Sequence, residues 1–144
     1  MAGVKSKREE PWELTEAEWA IIKAVWDRQP CAAPTVTEAL EKERAWSYST
    51  VKTLMDRMVD KGLLTTERIR NLILYHAAVT PDQARRGEVL RTLKRAFDGA
   101  LTPMMQFLLN QENLSQKDLA ELEAMVKAQK NKSKSEHRTS NIEH

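Results

Sequence analysis

Five polar side chains recur at helical spacing within the stretch from Trp46 to Leu64. Ser49, Lys52, Thr53, Asp56 and Arg57 stand at i, i+3, i+4, i+7 and i+8, which at 100° per residue is one face of a helix. Short hydroxyls and a lysine near a helix N-terminus can donate to phosphate oxygens and to acceptors on base edges. The plainer account is the solvated face of a core helix. Asp56 is out of place on a phosphate-binding surface. Either it pairs with Lys52, four residues earlier, or it accepts from a cytosine amino group.

Other chemistry finds little support. The histidines are His76, His137 and His144, and no Ser, Cys or carboxylate constellation is evident around His76. There is no Gly-rich phosphate loop and no zinc spacing. Cys31 is the only cysteine, so an internal disulfide and a multi-thiolate metal site are excluded. We therefore expect no catalysis, no cofactor and no metal. Mean hydropathy is −0.59, no apolar run approaches a membrane span, and Met1 to Glu10 holds no signal-peptide core. These features point to the cytoplasm. Net charge is only +2 across 144 residues. Up to Thr80 basic and acidic residues number 12 each, so a positive field on this half has to be local.

The elements that position the polar face read clearly. Ser47 is a good N-cap and Gly62 supplies a left-handed C-cap. Between them Val51, Leu54, Met55 and Met58 form the apolar side of the helix. Upstream, Thr15-Glu-Ala-Glu18 is a capping box that opens a helix with Ala17, Ile21, Ile22, Val25 and Trp26 inward and ends before Pro30. Cys31 to Pro34 reads as a linker. Thr35-Val-Thr-Glu38 reads as a second capping box opening a short helix to about Glu43. Its tight connection to the next helix makes a helix-turn-helix unit. Trp46 either wedges between these helices or stacks on a nucleic-acid backbone.

After Gly62 the period changes to two. Leu64–Ile69 and Leu72–Val79 read as strands around an Arg70-Asn71 turn, with Asn tolerating positive φ. Helices followed by a hairpin are the order of a winged helix-turn-helix, with Arg68 and Arg70 at the tip of the wing. The fold class is mainly α with a small β-hairpin wing.

Thr80-Pro81 and Thr102-Pro103 each read as a cap with proline at the first helical position. The helix after Thr80 carries Val89, Leu90, Leu93, Ala96 and Phe97. The next carries Leu101, Met104, Met105, Leu108 and Leu109. After a loop at Asn110–Asn113, Ser115 opens a helix with Leu119, Leu122, Met125 and Val126. Short amphipathic helices attached to a domain that already has a core need another surface. A second copy of the chain supplies it with two-fold symmetry, lined by Leu93, Phe97, Leu101, Met105, Leu108, Leu122 and Met125. A monomeric helical cap on the winged domain is the alternative. The chain divides into a flexible arm (1–13), a winged-helix DNA-binding domain (14–80), a helical dimerisation region (81–130) and a polar, disordered tail (131–144).

Residues 14–130 resemble the penicillinase repressor (BlaI/MecI/CopY) family of bacterial transcriptional regulators. The resemblance is carried by Leu14-Thr-Glu-Ala-Glu18, Ala24-Val-Trp26, Trp46-Ser47, Thr50-Val-Lys-Thr-Leu54, Arg57-Met-Val59, Lys61-Gly-Leu-Leu64, Tyr75, Gly99 through Leu109, and Leu114-Ser115. It implies a homodimeric repressor on a dyad-symmetric operator, with DNA bound by the amino-terminal domain and dimerisation through the carboxy-terminal helices. It also implies induction by a membrane-bound sensor with a cytoplasmic zinc-protease domain that cuts the dimerisation region. The family's scissile bond falls on Phe107-Leu108 when counted from Gly99 and on Gln106-Phe107 by residue type. The Asn-Phe pair of the antibiotic-responsive members is absent. So is the carboxy-terminal cysteine cluster of the copper-responsive members.

On this reading Ser49, Lys52 and Thr53 face base edges and Thr50 lies nearer the backbone. Lys52, Arg57, Arg68 and Arg70 contact phosphates. The alternative is a winged-helix protein-interaction module without specific DNA binding.

Overall fold

The structure is a computed structural model that describes residues 12–111 and 114–142. The described residues form two compact units that divide between Gly99 and Ala100.

The first unit begins with α1 (Glu16–Arg28), opened by the expected capping box. The Glu18 amide donates to Thr15 Oγ1 at 3.2 Å, and the Thr15 amide donates to Glu18 Oε1 at 2.8 Å. Ile21, Ile22 and Val25 are fully buried. Next comes α2 (Ala33–Ala39), which starts two residues before the cap expected at Thr35. Pro34 in its first turn fixes φ for the helix and has no N–H to satisfy. Thr35 and Thr37 are therefore inside the helix, and the Thr37 hydroxyl donates to the Ala33 carbonyl at 2.9 Å. A single turn, α3 (Glu41–Arg44), ends on Ala45 in left-handed conformation, φ 52°.

The polar face belongs to α4 (Tyr48–Asp60). Its N-cap is Ser47, whose Oγ accepts from the Thr50 amide at 3.2 Å. Val51, Met55 and Met58 are fully buried and Leu54 partly so. Gly62 follows at φ 84°, a conformation that Cβ-bearing residues rarely take. β1 (Leu64–Ile69) and β2 (Leu72–Ala77) pair antiparallel from Leu64↔Ala77 to Ile69↔Leu72. The left-handed residue of the turn is Arg70, φ 58°, rather than Asn71. β2 stops two residues short of Val79: the Ala78 amide still donates to the Leu63 carbonyl at 2.9 Å, but the Leu63 amide turns back to the Met58 carbonyl at 2.9 Å, so the ladder ends there. Val79 then accepts from Trp26 Nε1 at 2.9 Å. The presumed linker residue Cys31 adds a bridge to the sheet: its amide and carbonyl bond the Tyr75 carbonyl and amide at 3.2 and 2.7 Å.

α5 (Pro81–Phe97), capped by Thr80 and Gln83, groups with this compact unit, which runs to Gly99. The docking side is Ala84, Gly87 and Arg91. A Cβ at position 87 would lie 2.5 Å from the Trp12 carbonyl oxygen, so only glycine allows the approach. Arg91 pairs with Glu13 at 3.0 Å. Trp12 is itself in the core, which corrects the extent of the arm. Residues 1–11 of that arm lie outside the described residues. Of the apolar stripe on α5, Val89, Leu90 and Ala96 are exposed and Leu93 and Phe97 half-buried in the single chain.

The second unit holds α6 (Leu101–Gln111) and α7 (Gln116–Ile142). Helix α6 begins at Leu101, so Thr102 is in its first turn and not its cap, and it runs past the expected loop start at Asn110. Residues 112 and 113 of that loop lie outside the described residues. Ser115 caps α7, accepting from the Asp118 amide at 3.0 Å. α7 continues through the segment expected to be disordered from residue 131. No glycine or proline interrupts that segment, although Asn131, Ser133, Ser135, Thr139, Ser140 and Asn141 are weak helix formers. Among the described residues no helix is long and apolar enough to cross a membrane.

Candidate nucleic-acid interface

Helix α4 is fixed by its buried side, and that fixes what its other side offers. With Val51, Met55 and Met58 sunk in the core, Ser49, Thr50, Thr53 and Arg57 are exposed and Lys52 is half-buried. At the N-terminus the hydroxyls form a small network. Ser47 Oγ lies 3.1 Å from Ser49 Oγ and donates to Thr50 Oγ1 at 3.0 Å. These groups surround the free amides of the first turn, where partial positive charge collects.

One turn further along, Lys52 Nζ donates to both oxygens of Asp56, at 2.9 and 2.8 Å. The Tyr75 hydroxyl from β2 donates to Asp56 Oδ1 at 2.8 Å. Lys52 Nζ also sits 5.7 Å from the centre of the Tyr75 ring, within cation–π range. The hydrogen bond to Asp56, seconded by that to Tyr75, holds the Lys52 pKa well above the usual lysine range. Partial burial works against the Asp56 charge, but the hydrogen bonds from Lys52 and Tyr75 outweigh it and keep the carboxyl below its ordinary value. Burial pushes the Tyr75 phenol up. Of the two readings of Asp56, pairing with Lys52 is the one realised in the free protein.

Asp56, Val59, Asp60, Thr66, Arg68 and Tyr75 are among the residues that line an open cleft of about 420 Å³ between α4 and the hairpin. At the wing, Arg68 Nε donates to the Arg70 carbonyl at 3.1 Å, and both guanidiniums are exposed. Glu67 and His76 face each other across the strands at 3.1 Å. Trp46 packs against the core as a partly buried wedge, with the Arg44 guanidinium 5.3 Å from its ring. Behind the interface, Lys61 donates to both oxygens of the buried Glu18, at 2.7 and 2.9 Å, tying the C-terminus of α4 to α1.

The structure thus brings Ser49, Lys52 and Thr53 onto one exposed strip and holds Arg68 and Arg70 together at the wing tip. Sequence reasoning missed Tyr75 as the third member of the Lys52–Asp56 cluster and Lys61 as the partner of Glu18. An isolated acidic residue on a basic face, with a tyrosine on an inward position of the wing, was the available signal.

Of the residues expected at a self-association surface, Leu93, Phe97 and Leu122 are half-buried, while Leu101, Met105, Leu108 and Met125 are exposed. Phe107 and Leu108, at the expected cleavage position, lie inside helix α6 and are both exposed. Among the described residues no group of three or more metal-ligating side chains converges.

A family model described as penicillinase repressor matches residues 14–128. The chain is 22% identical over 111 residues to the methicillin resistance regulatory protein MecI of Mammaliicoccus sciuri, covering 77% of this chain and 90% of that protein. It is 24% identical over 122 residues to the penicillinase repressor of Bacillus licheniformis, covering 85% and 95%. A solution structure of the monomeric form of Bacillus licheniformis BlaI in complex with the blaP half-operator is 22% identical, with a TM-score of 0.45 over 51% of this chain and 90% of that one.

Proposed function

The chain belongs to the penicillinase repressor family, and on that premise we propose that it represses transcription in the cytoplasm as a homodimer on a dyad-symmetric operator. The family is one of regulators and not of enzymes, and the exposed face of α4 needs no catalytic group. The observation that carries the reading is the division of that helix. Three side chains lock one face into the core, while Ser49, Lys52 and Thr53 stand together on the other, the side a recognition helix would turn toward a major groove.

In this reading Thr50, Arg57, Arg68 and Arg70 meet phosphates. Those contacts set register and contribute most of the salt dependence. Two copies joined through the apolar faces of α6 and α7, with Leu93 and Phe97 of α5, would place two such helices in successive grooves and occlude the promoter. Relief by a membrane-bound sensor protease cutting near Phe107-Leu108 would separate the copies and weaken binding.

The test is a fluorescence-anisotropy titration on DNA from upstream of the protein's own gene, against a scrambled duplex, at several salt concentrations. Tight and promoter-selective binding is expected. Thr53→Ala should weaken it by about 1 kcal/mol, roughly fivefold. Arg57→Ala should lower the slope of log affinity against log salt by about 0.9. Equal weak binding to both duplexes would remove the reading. It would favour the alternative of a winged-helix interaction module, which the Lys52–Asp56 ion pair and the balanced charge of the first 80 residues support.

A further inference from the structure

We propose that Lys52 and Asp56 act as one unit that reads a single G·C base pair, and that Tyr75 is the residue that positions them. The inference rests on the DNA-binding reading and deepens it. Lys52 and Asp56 are one helical turn apart on the exposed strip of α4, joined at 2.8 and 2.9 Å.

Counting donors and lone pairs shows what the unit still offers. An ammonium has three N–H groups and each carboxylate oxygen has about two acceptor sites. Asp56 Oδ1 already accepts from Lys52 and Tyr75, whereas Oδ2 accepts from Lys52 alone. Lys52 has one N–H beyond the two it gives Asp56, shared with the neighbouring Tyr75, and Oδ2 has one lone pair to spare. A donor beside an acceptor is the complement of guanine O6 beside the cytosine N4 amino group in the major groove.

The A·T pair also presents an amino group, but it lies between two acceptors, adenine N7 and thymine O4. A carboxylate over it would face a lone pair on each side, and a single ammonium could offset only one. In G·C the amino group ends the row, next to the cytosine C5–H, and the lysine lies over the one neighbouring acceptor. Asp56 also makes errors costly, because a carboxylate brought against a duplex without a donor is left desolvated among phosphates.

Tyr75 makes the unit rigid. It is 1% exposed, and its backbone is bonded in both directions to Cys31 at 3.2 and 2.7 Å. Its hydroxyl holds Oδ1 at 2.8 Å. Two flexible side chains are therefore ordered before DNA arrives, which lowers the entropy lost on binding.

The experiment is selection of bound duplexes from a randomised library by the full-length protein, comparing the wild type with Asp56→Ala and Tyr75→Phe. Thermal melts should establish that both variants fold. The wild type should select a defined site with a strong G·C preference at one position per half-site. Asp56→Ala should lose that preference, about 5- to 100-fold in discrimination, and keep the other positions. Tyr75→Phe should weaken it several-fold at the same position only. An Asp56→Ala profile equal to the wild type, a change that maps to an A·T pair, or a Tyr75→Phe loss spread evenly over all sequences would each overturn the proposal. A wild-type protein that selects no sequence would overturn the DNA-binding reading with it.

Discussion

In the winged domain Ile21, Ile22, Val25, Val51, Met55 and Met58 have no exposed surface, whereas in α6 and α7 Leu101, Phe107, Met125 and Val126 keep more than half of theirs. The first unit draws its stability from its own burial. Helices α1, α2 and α4, the bridged hairpin, Trp12 and Ala84 of α5 share one buried cluster, and apolar burial of this kind is what offsets the entropy of ordering. The second unit has helices of 11 and 27 residues, and their apolar faces stay open. Helices of this kind gain most of their stability from packing, and contiguous exposed apolar surface marks an interaction site. The difference teaches where regulation can act. A first unit that carries its own core would keep the proposed recognition face whatever the state of the C-terminal unit. If two copies pair through that unit as proposed, pairing would depend on concentration and a cut in α6 would weaken it.

The largest expected effect breaks the self-sufficient side of the comparison. Met58→Ala removes a fully buried side chain between α4 and the hairpin and should destabilise the winged domain by about 2–5 kcal/mol. Denaturant melts followed by tryptophan fluorescence should register it, because Trp12, Trp19, Trp26 and Trp46 all pack in or against this core. The loss should be the same at low and high protein concentration. A loss that depends on concentration would mean that the winged domain also relies on a second copy.

The same contrast explains what could be read from the sequence. Ser47, Gly62, the Thr15–Glu18 box, the Thr80 cap and the strand Leu64–Ile69 are all legible, because each is fixed within a few residues by capping or by periodicity; the part of Gln83 in the Thr80 cap is not. Thr35 misled because two local signals overlapped, and the Pro34 restraint on φ prevailed over a hydroxyl cap. The polar tail reads as disordered, and α7 runs into it as far as Ile142. What stayed hidden was long-range. Trp12 meets Gly87, Cys31 bridges Tyr75, and Tyr75 reaches Asp56 across 19 positions. No local pattern encodes such contacts. The Glu18 carboxylate looked like a cap alone, and its second role, on Lys61, is 43 residues away.

A smaller effect tests the dependent side. Leu108 is exposed on α6 in the single chain, so Leu108→Asp should leave the fluorescence melt of the winged domain unchanged. In a two-fold pair the substitution occurs twice, and each carboxylate would enter an apolar contact. Sedimentation equilibrium should show pairing weakened by at least about 2 kcal/mol, roughly thirtyfold in dissociation constant. Intact dimers would place the interface elsewhere, with the exposed Val89 and Leu90 of α5 as the next candidates.

The smallest effect separates the two regions by pH. Asp56 is held below its ordinary carboxyl range, its Lys52 and Tyr75 hydrogen bonds outweighing burial. Folding therefore lowers its pKa, and between the folded and unfolded values the unfolded chain binds more protons. The stabilisation from Asp56 is thus complete above the unfolded value and is lost as pH falls through the folded one. Its side chain is 53% exposed, so the contribution is on the scale of a surface pair, at most about 1 kcal/mol. Asp56→Asn should melt slightly earlier than the wild type at neutral pH, and the gap should close as the medium is acidified below the ordinary carboxylate range. The pairing constant of the C-terminal unit should not follow, since Asp56 belongs wholly to the winged domain. A gap that widens in acid would mean that the carboxylate is a burden on the fold, tolerated there for the base it reads.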